Sequence, residues 1–343
     1  MFSTDETCPP YGIMLRMQIY AYILPNDATK AGLIKVGQAG NSDQRIKEQV
    51  GATRQRYEKV FDQSALAGKR NVSDHDVHRL LVERGFERIE GEWFRCTPND
   101  VQSALNDLKQ KYINEDIRND LSEQFYIELR NWYFWATEEQ YQGLMVEREP
   151  DPDHALRIIV RLLLIFFLKE KGLVPAELFD EDWINENIKE NEEHSYYNAV
   201  LCNLFFHCLN TLQEDRGELE HRKLMNHYGK VKELLYKQIP FLNSGLFNKH
   251  PGDNFALSNQ YFFSTLKTVT LKELGGRCGV KGLITILKSY KYTLDETDDT
   301  SFIDPEFSAR RLNVCWRVLR RTARRVGAKL PAVITRRVKL SII

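Results

Sequence analysis

The hydrophobic periodicity of the chain changes between residues 112 and 121, and this change limits the folds open to it. Two apolar, β-favouring runs, Met17 to Leu24 and Leu33 to Gly37, are separated by a proline-containing turn and predict a β-hairpin. From Leu121 to Ala136, apolar side chains recur every three or four residues, which is the period of a helix that buries one face. We therefore predict an α+β protein, with a small mixed α/β domain over residues 17–112 and an all-helical domain over residues 113–306.

Capping signals predict the remaining elements of both domains. In the first domain we expect helices from Asp43 to Val50, from Ser73 or Asp74 to about Arg84 and from Thr97 to about Tyr112, with a short strand from Glu92 to Cys96. In the second we expect helices from Ala155 to Lys171, from Tyr196 to Leu212 and from Leu219 to Leu235, and an irregular segment from Pro240 to Asn259.

The stretch from Phe307 to Ile343 differs in charge from the rest of the chain. It carries 9 Arg and 2 Lys with no Asp or Glu, which leaves 37 basic against 48 acidic residues elsewhere. Codons shifted by one base from Ser308 onward permit the peptides LGTSFERLLAGF and KITGSYYTPREIVDY, so we infer one lost base near Ser308. We predict a disordered, frameshift-derived tail over residues 307–343 and a short arm over residues 1–16. The alternative is a native basic tail that binds phosphate without specificity.

Cysteine usage and hydropathy indicate the compartment. The six cysteines include no C-x-x-C pair, and no secretory signal precedes the first domain. The most apolar run, Ile158 to Leu168, is far shorter than the ~20 residues that a membrane span requires. We expect a cytoplasmic protein with reduced thiols and no membrane partner.

Several short motifs of the first domain arrive in an informative order. Gln18-Ile19-Tyr20 is followed by Lys35-Val36-Gly37, by Arg45 on the next helix, by Asp74 four residues before His78, and by Glu92-Trp93-Phe94. This order resembles the GIY-YIG nuclease superfamily, in particular its phage-type branch, in which the second strand carries K-x-G. The resemblance covers roughly residues 17–110 and implies a metal-dependent DNA endonuclease.

The resemblance also implies roles for individual residues. Its catalytic residues correspond to Tyr20, Lys35, Arg45 and His78, its metal ligands to Asp74 and Glu92, and its DNA contacts to Lys35, Arg45 and Lys47. Tyr20 would orient or deprotonate a water, Lys35 stands where the family has its second tyrosine, and Arg45 would contact the phosphate. Mg²⁺ or another divalent metal would be the cofactor. The family's helix glutamate corresponds here to Asp74, whose side chain is one methylene shorter.

Structural interpretations of some of these residues remain open. Tyr20 and Tyr22 are alternatively core residues of a small sheet, and Asp74 is alternatively the cap of its helix.

Other residues near these motifs allow further interpretations. His75, His78 and Cys96 are candidate zinc ligands that lack a recognisable fourth ligand. Glu92 is also placed to pair with Arg88 or Arg95.

The helical domain contains three long motifs. They are FYIELRNWYFWA from Phe125, RLLLIFFLKEKGLVP from Arg161 and IPFLNSGLF from Ile239. Together they resemble the helical connector of type IIG restriction-modification enzymes and of phage-exclusion enzymes, which precedes an adenine methyltransferase. We expect their aromatic residues to form the core, and Arg161 and Lys169 to pair or lie at its rim rather than contact DNA.

These resemblances lead to one functional hypothesis with two alternatives. The Gly-rich turn and NPPY loop of such methyltransferases are absent from the 343 residues, so S-adenosylmethionine would bind only to a full-length parent. We expect a truncated restriction-modification or phage-defence protein that keeps a candidate DNA endonuclease domain and a helical scaffold. The alternatives are a DNA-binding module that does not cut, and an inert frameshift remnant.

Overall fold

The chain divides into two compact units, Met1–Asp120 and Leu121–Ile343. The computed structural model describes residues 16–51, 55–141, 145–146, 149–150, 152–189, 194–242, 245–254 and 257–292. The predicted basic tail lies outside the described residues, as does all of the predicted N-terminal arm except Arg16.

The described part of the first unit combines strands and helices, as the sequence predicts. Its strands are β1 (Gln18–Ile23), β2 (Ile34–Ala39), β3 (Glu58–Ser64), β4 (Leu66–Ala67), β5 (Arg70–Asn71), β6 (Glu87–Glu90) and β7 (Trp93–Arg95). Its helices are α1 (Ser42–Gly51), α2 (Asp74–Glu83) and α3 (Pro98–Thr137), of which α3 continues into the second unit. The predicted hairpin, α1 and α2 are confirmed.

Five of these strands form one antiparallel sheet in the order β3-β1-β2-β7-β6. Strand β1 lies between β2 and β3, and its residues from Gln18 to Tyr22 have a partner on both sides. Tyr20 pairs with Gly37 of β2 and with Asp62 of β3. Lys35 pairs with Trp93 at the junction of β2 and β7. The register therefore places side chains from three strands around Tyr20 and Lys35.

Both faces of the sheet are covered, because side chains alternate between them along each strand. Ile19, Val36 and Phe94 lie on the face that packs against α2 and α3. On the opposite face a second buried cluster contains Tyr20, Tyr22, Leu24, Leu33, Ile46, Val50 and Trp93. Helix α1 covers this second face through Ile46 and Val50.

Two sequence predictions about helix ends are corrected by the structure. Ser73 caps α2, since its Oγ accepts a hydrogen bond from the backbone N–H of Asp76, so Asp74 is the first helical residue and not the cap. The helices predicted to end near Tyr112 and to begin near Leu121 are a single 40-residue helix, α3. The segment between them contains neither glycine nor proline, so nothing in it ends the helix.

The second unit is mainly helical, as predicted, and it adds two short hairpins that the periodicity did not predict. Its strands are β8 (Met145–Val146), β9 (Glu149–Pro150), β10 (Lys267–Leu271) and β11 (Gly276–Val280). Its further helices are α4 (Pro152–Glu170), α5 (Glu181–Asn187), α6 (Tyr228–Gln238), α7 (Gln260–Phe263) and α8 (Leu283–Lys288). Helix α6 begins at Tyr228 rather than at Leu219, which is buried in an irregular segment before the helix.

A buried ionic cluster ties α4 to the segment that the sequence predicts to be irregular. Asp253 Oδ1 accepts hydrogen bonds from His154 Nδ1 at 3.0 Å and from Arg157 Nε at 3.1 Å. Its Oδ2 accepts from Arg161 Nη2 at 2.9 Å, and His154, Arg161 and Asp253 are all fully buried. The hydrogen bonds from His154 and Arg161 hold the pKa of Asp253 below its usual range despite the opposing effect of burial. Arg161 is thus a pairing residue of the core.

A π-helical segment lies in the core of the same unit. Tyr197–Leu201 and Asn203–Cys208 have π-helical hydrogen bonding, and most of their side chains are buried. Burial raises the pKa of Cys202 and of Cys208 to about 12, so both thiols are protonated at neutral pH. In the described part of the chain, no helix has the length and hydropathy to cross a membrane.

Candidate functional site

Tyr20 lies directly over Gly37 on the α1 side of the sheet. The two residues are cross-strand partners, and Tyr20 is only 1% exposed. A Cβ atom at position 37 would lie 2.7 Å from the Tyr20 hydroxyl oxygen and 2.8 Å from Cζ. Glycine at position 37 is therefore required by the ring that covers it, which gives the Lys35-Val36-Gly37 motif a steric reason.

The Tyr20 hydroxyl interacts with charged and polar groups from two directions. Burial raises its pKa above the ordinary value of 10.0, and the negative charge of Glu92 raises it further. The positive charge of Arg45 and hydrogen bonds from Gln49 and Arg45 oppose this rise. Arg45 and Glu92 thus both act on the phenol of Tyr20, and all three are predicted site residues.

Lys35 lies on the same face and joins this group through Glu92. Its Nζ is 3.7 Å from Glu92 Oε2 and 5.9 Å from the ring centroid of Tyr22. Burial, together with the charges of Tyr20 and Glu92, raises the pKa of Tyr22 to about 12. The prediction that Glu92 pairs with Arg88 or Arg95 is wrong, because Arg95 pairs with Glu87 and Arg88 donates to the backbone carbonyl of Gly91.

Helix α1 presents basic side chains beside the candidate site. Arg45 is half exposed and lies 3.6 Å from Glu48, and Lys47 is exposed on the same helix. Such a weak surface pair leaves the guanidinium available to another anion. Arg45 and Lys47 therefore lie where an approaching phosphate backbone could contact them.

Helix α2 places His78 and Asp74 differently from the residues above. His78 is buried, and its Nε2 lies 2.9 Å from the carbonyl oxygen of Val36. A carbonyl can only accept a hydrogen bond, so Nε2 carries the proton. Burial lowers the pKa of His78 below 6.5, which keeps the ring neutral. Asp74 Oδ1 is 2.9 Å from His75 Nδ1, so its carboxylate is engaged at the start of α2.

The predicted metal ligands do not gather into a larger cluster. Among the described residues, no group of three or more His, Cys, Asp or Glu side chains is arranged to hold a metal ion. The zinc alternative built on His75, His78 and Cys96 therefore has no support, and burial raises the pKa of the Cys96 thiol to about 12. Glu92 remains a partly exposed carboxylate on the Tyr20 face.

One contributor to the site was missed from the sequence. Gln49 of α1 lies one turn after Arg45, and its Oε1 accepts a hydrogen bond from the Tyr22 hydroxyl at 3.2 Å. Its position between Ile46 and Val50, which are both buried, is the signal that could have identified it, because neighbouring positions on that turn face the sheet.

In the first unit, the fold and site define an antiparallel α/β domain whose one face carries a tyrosine, an arginine, a lysine and a carboxylate. The family model of the T5orf172 domain matches residues 19–109, which include every residue of this site. A Methanocaldococcus jannaschii protein named as a candidate type II restriction enzyme and methyltransferase is 31% identical over 153 residues. This match covers 44% of the chain and 11% of that relative, so the chain spans about a tenth of the relative's length. No solved structure matches the chain.

Proposed function

We propose that the first unit is a DNA endonuclease domain of the GIY-YIG type in a restriction-modification protein. The observation that carries this proposal is the grouping of Tyr20, Lys35 and Glu92 on the face of the sheet that α1 covers, with Arg45 of that helix beside them. The similarity to the T5orf172 domain, which is nuclease-like and associated with restriction, supports the same class. The name of the archaeal relative supports it as well.

Tyr20 would position the attacking water. Hydrolysis of a phosphodiester requires a water that is held in line and loses a proton as it attacks. Because the pKa of Tyr20 is raised, its hydroxyl is protonated at neutral pH and holds the water by hydrogen bonding. The neighbouring charge of Arg45 lowers the cost of removing that proton as the reaction proceeds.

Arg45 and the lysines would bind the phosphate. A guanidinium donates two parallel hydrogen bonds to phosphate oxygens, and Arg45 is exposed enough to reach them. Such contacts stabilise the charge that develops on the phosphate in the transition state. Lys35 adds positive charge on the same face, and Lys47 would contact the DNA backbone without reading sequence.

A divalent metal such as Mg²⁺ is part of the proposal. When bound, it would offset the charge on the leaving oxygen. Mg²⁺ usually keeps several waters and takes only one or two protein carboxylates, so Glu92 suits it without a larger cluster. Asp74, whose Oδ1 lies 2.9 Å from His75 Nδ1, would be the second carboxylate in this proposal.

A second candidate function is DNA binding without cleavage. The ion pair between Lys35 and Glu92 favours it, because a carboxylate neutralised by a lysine is a weaker metal ligand. The basic side chains of α1 would serve such a module equally well.

A plasmid-nicking assay separates the two candidates. The full chain is incubated with supercoiled plasmid and Mg²⁺, with and without a chelator, and binding is followed by gel retardation. We expect metal-dependent nicking that is lost in Tyr20→Phe and Arg45→Ala. Tyr141→Phe and Arg277→Ala, which make the same chemical changes in the second unit, serve as controls and should nick normally.

Each result of this assay has one meaning. Retardation of intact plasmid by the wild-type chain would support the binding module and reject the nuclease. Absence of both binding and nicking would reject both functions and favour an inert remnant.

We also propose that the chain acts with a DNA adenine methyltransferase, which would be the component that binds S-adenosylmethionine. The resemblance of residues 120–306 to helical connectors and the name of the archaeal relative support this link. Sequencing the coding DNA beyond the Phe307 codon tests whether this methyltransferase is encoded in the same gene. A neighbouring frame that encodes an NPPY motif would support it, and a frame interrupted by stop codons would contradict it.

A further inference from the structure

Strand β3 turns two polar side chains toward the face of the sheet that α1 covers. Lys59 pairs with Tyr22 of β1 and Asp62 pairs with Tyr20, so both lie on the face of these two tyrosines. In a regular strand, residues three apart lie on opposite faces. The pairing register shifts between the two pairs, as it does at a β-bulge, and Phe61 packs into the cluster on the other face. Irregularities of this kind re-aim side chains beside functional sites.

Lys59 joins β3 to the first turn of α1. Its Nζ lies 2.6 Å from Asp62 Oδ2, 2.7 Å from Asp43 Oδ1 and 3.2 Å from Ser42 Oγ. The Ser42 hydroxyl also donates to Asp62 Oδ2 at 2.7 Å, so the helix and the strand share one carboxylate oxygen. An ammonium group has three protons, and each of them has an acceptor here. We call these contacts of Ser42, Asp43, Lys59 and Asp62 the β3–α1 tie.

Arg45 lies on the turn that the β3–α1 tie holds. Its backbone N–H donates to the carbonyl oxygen of Asn41 at 3.1 Å, which is a hydrogen bond of the first turn of α1. Its side chain is half exposed, and its ion pair with Glu48, 3.6 Å away, is a weak surface contact. The position of the guanidinium therefore follows the position of the helix backbone.

We propose that Lys59 is a positioning residue that fixes the first turn of α1 on the sheet, and thereby the place from which Arg45 reaches a DNA phosphate. The proposal rests on the endonuclease function proposed for the same face. Ile46 and Val50 pack against the sheet and hold α1 after its first turn. Loss of the β3–α1 tie would therefore loosen the beginning of the helix, where Arg45 lies.

Direct contact of Lys59 with DNA is the competing explanation, and the charges around it oppose this. Hydrogen bonds from Asp43 and Asp62 raise the pKa of Lys59, and the hydrogen bond from Lys59 lowers the pKa of Asp43. The tie thus combines one ammonium with two carboxylates, and such a group does not attract a phosphate. Lys59 is placed to act through the helix.

Native-state hydrogen exchange of the full chain, followed by NMR, tests the tie without relying on DNA. In Lys59→Met, which keeps a similar length but has no charge, we expect the amides of Arg45 and Ile46 to exchange about three- to tenfold faster. The amide of Val50, in the last turn of α1, should exchange as before. Asp43→Asn, at a largely exposed position, should give a smaller change of the same kind. Lys69→Met makes the same chemical change at another ion pair of this unit and should leave α1 unchanged.

A double-mutant cycle with Arg45 tests how Lys59 acts. In plasmid nicking, Lys59→Met alone should lower kcat/KM by about tenfold. In the Arg45→Ala background, Lys59→Met should change nicking and DNA affinity by less than about twofold, because the group that it positions is absent. The salt dependence of binding in this background distinguishes direct contact. A further fall of about 0.9 in the slope of log K against log salt would mean that Lys59 itself binds a phosphate, and would overturn the proposal.

The two readouts fail independently. Unchanged exchange of α1 in both Lys59→Met and Asp43→Asn would overturn the positioning role whether or not the protein nicks DNA. Independent, additive losses from Lys59→Met and Arg45→Ala would overturn it as well. Faster exchange in a protein that does not nick would retain the tie and reject the endonuclease.

Discussion

Substitution of Gly37 by alanine tests the central contact of the candidate site. The new Cβ would lie 2.7 Å from the Tyr20 hydroxyl oxygen, whereas ordinary contacts begin at 3.4 Å, so the ring must retreat by about 0.7 Å. Overpacking of this kind costs about 1–3 kcal/mol. Alanine recovers about 0.5–1 kcal/mol because it restricts the unfolded chain more than glycine does. We expect a net loss of up to about 2.5 kcal/mol in the stability of the first unit.

The effect on nicking should be larger than the effect on stability. A displacement approaching 1 Å of a group that orients a nucleophile costs about 100-fold in rate. Native-state hydrogen exchange of peptides covering β1 and β2 measures the local stability, and plasmid nicking measures the rate. Gly40→Ala is the matched control, since a Cβ atom at position 40 meets nothing within 4 Å. If Gly37→Ala exchanged and nicked like Gly40→Ala, the placement of Tyr20 over Gly37 would be wrong.

Three further substitutions test other parts of the structure. Asp253→Asn removes the anion that pairs with two arginines in the core and should cost about 3–5 kcal/mol in urea unfolding, whereas Glu233→Gln, at an exposed pair, should leave the midpoint unchanged. His78 has a folded pKa below its unfolded value of about 6.5, so its contribution to stability is present above that pH and is lost as pH falls below it. His78→Gln should therefore flatten the pH dependence of hydrogen exchange in α2 across this range. Gly68→Ala would drive a Cβ atom into the Asp116 carboxylate, so it should speed hydrogen exchange in β4 and β5. Gly85→Ala is the control, because position 85 also has a positive φ but has open space around it, and hydrogen exchange around residue 85 should speed up less.

The parts of the fold that the sequence predicted have local causes. The β1–β2 hairpin follows from two apolar runs around a turn, and α2 follows from a serine cap and an apolar stripe. Strands β3 and β6 were not predicted, because they lack an alternating apolar face. In β3 only Phe61 is buried, and all four residues of β6 are exposed. Such strands exist because neighbouring strands supply their hydrogen-bond partners, which is information the local sequence does not contain.

The candidate site also has a part that the sequence predicted and a part that it did not. Tyr20, Lys35 and Arg45 could be proposed from the order of motifs, and the structure brings them to one face. The ion pair of Glu92 with Lys35 and the contact of Gln49 with Tyr22 depend on the register of β7 and on the packing of α1 against the sheet. These are long-range features, so a spacing rule along the chain does not reveal them.

The buried cysteines provide the protein with its own unfolding probes. Cys202 and Cys208 are buried in the π-helical segment of the second unit, and Cys96 is partly buried in the first. Because burial raises the pKa of each of the three thiols to about 12, each becomes reactive toward alkylating reagents only when its surroundings open. Mass spectrometry of pulse-alkylated protein would therefore time the opening of each unit separately, with no introduced label.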